Sequence, residues 1–247
     1  MPLLALLLML LLLLATGCGT EPAAPPGAPP GAPPAASPAA TPGSTSSEPP
    51  PPRGRRPPAP VRVPHAASGT YAVVRGGAPA RPGRGPVVRY LVEVERGLPF
   101  DPRTFASEVH RTLNDERGWG RFRRVDHPPV RVRVALSSPR LTSRQCRPLR
   151  TGGTLSCWNG TRSVINALRW ARGVPQYDGD LTAYRHYLIS HEVGHSLGHG
   201  HRRCPGPGRP APVMAQQSKS LGGCRPNPWP FPGRKSREKH QTEDRRR

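Results

Sequence analysis

Residues 191–201 read His-Glu-Val-Gly-His-Ser-Leu-Gly-His-Gly-His, and no other stretch limits the fold of this chain so tightly. His191 and His195 stand four positions apart, so on a helix both imidazoles project from one side, about 6 Å apart, and can share one zinc ion. Glu192 then lies beside the ion instead of on it, where it can polarise a water held there. The residues upstream predict a helix over 181–197, capped by Asp180, with Tyr184, Leu188, His191 and His195 along one side. A third ligand must come from downstream. After Glu192 the next carboxylate is Glu238, near the chain end, which leaves His199, His201 or Cys204. His199 serves if the helix simply continues. Gly198 offers an easy exit from helical geometry that swings His201 back to the metal, and His201 is the preferred third ligand.

The remainder of the chain divides by composition. Sixteen of the 40 residues from 21 to 60 are Pro, with no aromatic side chain among them, so this stretch cannot bury enough area to offset ordering. It reads as a disordered linker over 19–60, extended at about 3.1 Å per residue in its polyproline stretches and reaching on the order of 100 Å. A folded domain over 61–233 and a disordered basic tail over 234–247 follow. Net charge is +22, which excludes an acidic buffer-type protein. Only 3 of the 37 basic residues are Lys, a bias that a GC-rich coding sequence produces whatever the protein does. Residues 61–233 nevertheless hold 27 basic and 10 acidic side chains, so attraction to an anionic cell-envelope polymer is a physical expectation.

Residues 3–15 are Leu with Ala and one Met, followed by Ala15-Thr16-Gly17-Cys18. The run is shorter than the roughly 20 residues of a spanning helix and fits a secretory leader. Residues 1–18 therefore read as a signal peptide. The small residues before Cys18 resemble a bacterial lipobox, which implies lipidation of Cys18 and a membrane-anchored domain; the alternative is cleavage and release. Four other cysteines, Cys146, Cys157, Cys204 and Cys224, suit disulfides in an oxidising compartment. Three pairings are possible, and chain proximity favours Cys146 with Cys157 and Cys204 with Cys224.

Within the domain, β-rich runs over 70–74, 87–94 and 130–136 predict strands, the last as Val-Arg-Val-Arg-Val with arginines on the wet face. Asp101-Pro102 starts a helix reaching Asn114, with Phe105, Val109 and Leu113 on its apolar side. Gly152-Gly153 and Asn159-Gly160 are turns, and 163–168 is a further strand or a short helix. Sheet comes first and helix later, an α+β pattern.

His191-Glu192-x-x-His195-x-x-Gly198-x-x-His201 resembles the zinc signature of metzincin metallopeptidases. The resemblance implies one zinc on His191, His195 and His201, Glu192 as general base, and Met214 in a Met-turn beneath the metal. It implies a zincin-like fold: a twisted mixed sheet, an active-site helix and a small C-terminal subdomain. More closely, Thr151-Gly152-Gly153, Cys157, Asn159-Gly160, residues 191–201, Cys204-Pro205-Gly206-Pro207-Gly208 and Cys224 to Pro230 resemble an actinobacterial family of exported zincin-like proteins of unknown function. Arg202 directly follows the third His and no Tyr follows Tyr187, so no named metzincin subfamily is inherited.

The activity expected is hydrolysis of a peptide bond in a peptide or protein substrate by a monomeric enzyme. An edge strand of the sheet would hold the extended substrate. The rival reading is a noncatalytic, zinc-stabilised module that binds an anionic wall polymer through arginines and Trp119, Trp158 and Trp170. No helix-turn-helix, zinc finger or basic helix supports nucleic acid as partner.

Overall fold

The computed structural model describes residues 61–234; Cys18, the leader, the linker and the tail beyond Arg234 lie outside the described residues. The elements run β1 (Tyr71–Val73), β2 (Val87–Glu95), α1 (Pro102–Leu113), β3 (Arg121–Arg124), β4 (Val132–Ser137), α2 (Pro139–Gln145), β5 (Cys157–Trp158), β6 (Ser163–Asn166), α3 (Ala167–Arg172) and α4 (Leu181–Ser196). They form an open, mixed sheet in the order β1-β2-β4-β6-β5, with β3 pairing the first half of β2. β2, β3, β4 and β6 are parallel, and the two end strands β1 and β5 are antiparallel to their neighbours. Parallel neighbours need crossover connections, and α1 and α2 therefore fall between strands instead of after the sheet. The longest helix, α4, does follow it.

Apolar side chains at alternate positions dictate how the layers meet. Tyr90, Val92 and Val94 of β2 and Val132, Val134 and Leu136 of β4 share one sheet face with Phe105, Val109 and Leu113 of α1 and Tyr184, Leu188 and Val193 of α4. Asp101 caps α1 by accepting from the Thr104 N–H at 2.7 Å, as its sequence position requires. At the other end Asn114 exchanges two bonds with the Phe122 backbone, both 3.0 Å, and so ties the helix to β3. Strand β3 was not foreseeable from pattern: Phe122 is one apolar residue among arginines. The 163–168 segment is both alternatives in turn, since Asn166 ends β6 and accepts from the Leu168 N–H to start α3.

The opposite face buries two carboxylates. Glu95 accepts from Gly69 N–H at 2.8 Å and Ser138 N–H at 2.6 Å, joining the lead into β1 to the start of α2. Glu93 accepts from Arg162 Nε at 2.7 Å and from Arg133 Nη1 at 3.4 Å. Arg133 is thus half-buried and paired, while Arg131 is exposed as expected.

Beyond α4 the chain has no further helix or strand among the described residues, and side chains organise it. Tyr187 OH donates to Ala215 O at 3.0 Å and accepts from Gln217 N–H at 2.9 Å. Tyr177 OH donates to Gln217 Oε1 at 2.9 Å, and Gln217 Nε2 donates to Asn227 O at 2.8 Å. Asn227 Nδ2 in turn donates to Ala211 O and Trp229 O, at 2.8 and 2.9 Å. Buried amides in irregular backbone supply the pairing that a strand would otherwise give.

Two disulfides are present, Cys146–Cys157 and Cys204–Cys224, the pairing that chain proximity favours. Disulfides of this kind are typical of extracytoplasmic proteins. The second closes a loop with a sequence separation of 20 around Met214. Replacing Cys204 and Cys224 by Ala should cost about 3 kcal/mol in urea unfolding, the loop-closure value for this length. An unchanged midpoint would show that the side-chain network alone holds the segment.

Candidate metal centre

Helix α4 is the platform of the site. Its C-terminus is a Schellman motif: Gly198 N–H donates to His195 O at 3.0 Å and His199 N–H to Gly194 O at 3.0 Å, with Gly198 at φ +97°. That left-handed turn reverses the chain, and Arg202 N–H then donates to Met214 O at 3.0 Å. His201 is thereby returned to the helix. One candidate ligand atom from each of His191, His195 and His201 lies within 4.8 Å of the others. His199 is turned elsewhere, its ring stacked on Trp119 at 4.1 Å. Cys204 is committed to its disulfide. Of the three downstream candidates the fold brings in only His201.

Two of the imidazoles are held in a tautomer that leaves Nε2 free for a metal. His191 Nδ1 bonds Val213 O at 2.8 Å and His195 Nδ1 bonds His199 O at 2.9 Å. A carbonyl can only accept, so both Nδ1 atoms carry the proton and both Nε2 lone pairs are bare. His195 Nε2 and His201 Nε2 stand 3.1 Å apart. Two nitrogens on one tetrahedral ion at about 2.0–2.1 Å would stand about 3.3 Å apart, so this pair is spaced to share a metal ion, with His191 within 4.8 Å of both.

Met214 packs against the same helix. A methyl group built on Gly194 would lie 2.5 Å from Met214 Sδ and 2.9 Å from Trp119 Cζ2. Only glycine lets the thioether and the indole pack against the helical turn that carries His191 and His195. Trp119, which the sequence left unplaced, also donates from Nε1 to Ser190 O at 2.8 Å.

Glu192 is buried, and its Oε2 has no hydrogen-bond partner among the described residues. Burial pushes its carboxyl up to about 8. Burial also lowers the His191 imidazole, to about 3, the neighbouring His195 and His201 adding to the effect against the Val213 bond. His195 and His201 are lowered for the same first reason. A cation among these groups would reverse the direction at Glu192, since it favours the ionised carboxylate.

The histidines and Glu192 line a cleft of ≈ 290 Å³. Its other wall is the disulfide-closed loop between Cys146 and Cys157, through Leu149, Arg150, Thr151 and Leu155, together with Trp158 on β5. Leu149 and Trp158 are 60% and 39% exposed, large apolar surfaces left open only here and at a few other positions. Gln216, Ser218 and Lys219 complete the rim. Of these residues the sequence singled out Thr151 and Trp158, neither of them as a cleft wall. The three tryptophans named from sequence do not form one platform: Trp170 is core, edge-on to Phe105 at 4.8 Å, and Trp119 stacks on His199.

Two outcomes follow from this geometry. His201→Ala should lose bound metal far more than His199→Ala, by stoichiometry after dialysis; equal loss would overturn the assignment. In metal-stripped protein, neutral His191, His195 and His201 make stability rise with pH up to about 6.5, because the unfolded chain binds more protons there. Between about 6.5 and 8 the folded chain still holds the Glu192 proton that the unfolded chain has lost, so stability falls. Urea midpoints across this range should peak near pH 6.5, and metal should abolish the alkaline decline. A continued rise with chelator present would refute the Glu192 environment described.

Comparison with known proteins places the chain in a family without assigning chemistry. No curated protein and no solved structure matches it. A family described as Protein of unknown function (DUF3152) matches residues 57–232, a span holding the whole sheet, α4 and the Cys204–Cys224 loop, and the chain belongs to that family.

Proposed function

We propose that this protein is a zinc-dependent endopeptidase of the metzincin type on a zincin-like fold, with Glu192 as general base. The observation that carries the reading is a buried carboxylate oxygen without a partner among the described residues, on a side chain that lines a cleft beside three converging histidines. A structural metal site has no use for an unpaired buried carboxyl, which costs free energy wherever it does no chemistry.

Zinc, when held by His191, His195 and His201, supplies Lewis acidity that polarises a carbonyl and makes a water more acidic. The protein's own residues do the rest. Val213 O and His199 O hold the Nδ1 protons of His191 and His195 and so keep each Nε2 aimed at the ion. Glu192 takes a proton from the attacking water and passes it to the leaving amine. Among the described residues β5 pairs with β6 alone, which leaves an edge beside α4 for an extended peptide. Leu149, Leu155 and Trp158 offer apolar surface to a substrate side chain. The two disulfides favour action outside the cytoplasm, with the lipid anchor at Cys18 as the proposed attachment.

Glu192→Gln keeps the side chain's size while removing the basic oxygen. At matched zinc content it should leave folding intact and lower turnover of the best peptide from a broad library by about 100 to 10,000-fold. Chelation should abolish turnover and added zinc restore it. A fully zinc-loaded wild type that cleaves nothing, or a Gln variant that cleaves as fast, would transfer the assignment to a zinc-stabilised binding module.

A further inference from the structure

Away from the cleft, three arginines stand in a row across the sheet. β2 and β3 pair Arg89 with Arg123, and Arg131 donates its backbone N–H to Arg89 O at 3.0 Å, one residue before the Tyr90–Val132 pair of β2 and β4. Residues in register on neighbouring strands project from the same face, so the three side chains form a line Arg123, Arg89, Arg131 spanning about 10 Å. All three are exposed. Like charges directly side by side on a sheet destabilise it.

Two positions further along the same face, Arg133 meets a buried acid: Glu93 accepts from it and from Arg162. The row at the strand starts has no such compensation among the described residues. Among the described residues the ion pairs are Arg111–Glu108, Arg117–Asp115, His127–Asp126, Arg133–Glu93 and Arg162–Glu93, and none includes the three. Arg121 is on the same face but is committed to structure, donating to Arg81 O at 2.9 Å and Gly85 O at 2.9 Å, so it adds positive potential without offering its fork.

We propose that Arg123, Arg89 and Arg131 form a binding row for a linear, phosphate-bearing polymer. The guanidinium fork matches a phosphate with two parallel hydrogen bonds. An isolated anion on an open surface would gain little, because solvent screens each contact. A polymer makes several contacts at once and releases its condensed counterions, and a single-file array of cations follows a chain better than a plane. The excess of 27 basic over 10 acidic residues in 61–233 supplies long-range attraction, and the row supplies the place.

The probe is fluorophore-labelled inorganic polyphosphate, titrated with the full-length protein by anisotropy over about 50–200 mM salt. Two triple variants remove the same charge: Arg89→Gln, Arg123→Gln and Arg131→Gln, against the exposed control set Arg75→Gln, Arg103→Gln and Arg172→Gln. The row variant should bind at least about tenfold more weakly, with a salt slope lower by about 2, while the control set loses less than about threefold. Its melting temperature should hold or rise as the like-charge contacts disappear. If the triple variant does not fold, Arg89→Gln alone should lower the slope by about 0.7. Equal weakening by both sets would reduce the effect to diffuse net charge and overturn the proposal. So would unchanged binding by the row variant, or binding to anionic vesicles without binding to polyphosphate. None of these readouts depends on peptidase activity.

Discussion

Three consecutive carbonyls in one turn hold this structure's business end together. Val213 O accepts from His191 Nδ1, Met214 O from the Arg202 N–H, and Ala215 O from Tyr187 OH. The first fixes a ligand's tautomer, the second fixes the segment that delivers His201, and the third fixes the turn to helix α4. A displacement of the turn would therefore move the metal-facing nitrogen of His191 and the position of His201 together. The sulfur of Met214, packed on bare Gly194, sets the distance between turn and helix. This accounts for the heavy investment in the irregular segment that follows, where Tyr177, Gln217 and Asn227 replace a regular ladder with buried side-chain bonds.

Charge is handled in two ways on the sheet. Buried Glu93 and Glu95 each have a full set of donors, an arginine pair in one case and two backbone N–H groups in the other. Glu192 has a carboxyl oxygen that no donor among the described residues reaches. The contrast between satisfied and unsatisfied carboxylates within one small domain is what separates structural acids from the one proposed to move a proton, because an unpaired buried group is tolerated only where something else is gained.

The cleft wall is built with unusual economy of regular structure. Residues between Cys146 and Cys157 have no helix or strand of their own. Asn166 Nδ2 donates to Gly153 O at 3.0 Å and Arg169 Nε to Thr154 O at 3.0 Å, so side chains from β6 and α3 brace it from behind, while Asn159 Nδ2 ties the β5–β6 turn to Gln145 O at the end of α2 at 3.1 Å. The disulfide closes its ends. A loop fixed this way can leave Leu149 exposed toward the cleft without collapsing onto the core.

What the sequence determined by itself was whatever depends on neighbours in the chain. The spacing of His191, His195 and Gly198 sets a helix, a face and a left-handed exit, because 3.6 residues per turn and the freedom of glycine are local properties. Asp101 and Asp180 announce the starts of α1 and α4 for the same reason, and short separation favoured the disulfide pairing found. Tertiary structure decided the rest. His201 instead of His199 as the third imidazole depends on Trp119, distant in sequence, stacking the one away while the Met214 carbonyl draws the other back. Strand β3 exists because β2 and Asn114 pair with it, not because Arg-Phe-Arg-Arg favours a strand. The Arg123, Arg89, Arg131 line is invisible in a sequence where arginine is everywhere; only strand register brings side chains 34 and 42 positions from Arg89 into one row. Local geometry is written in adjacent residues, whereas proximity across the fold is set by which buried surfaces and hydrogen bonds satisfy one another at the same time.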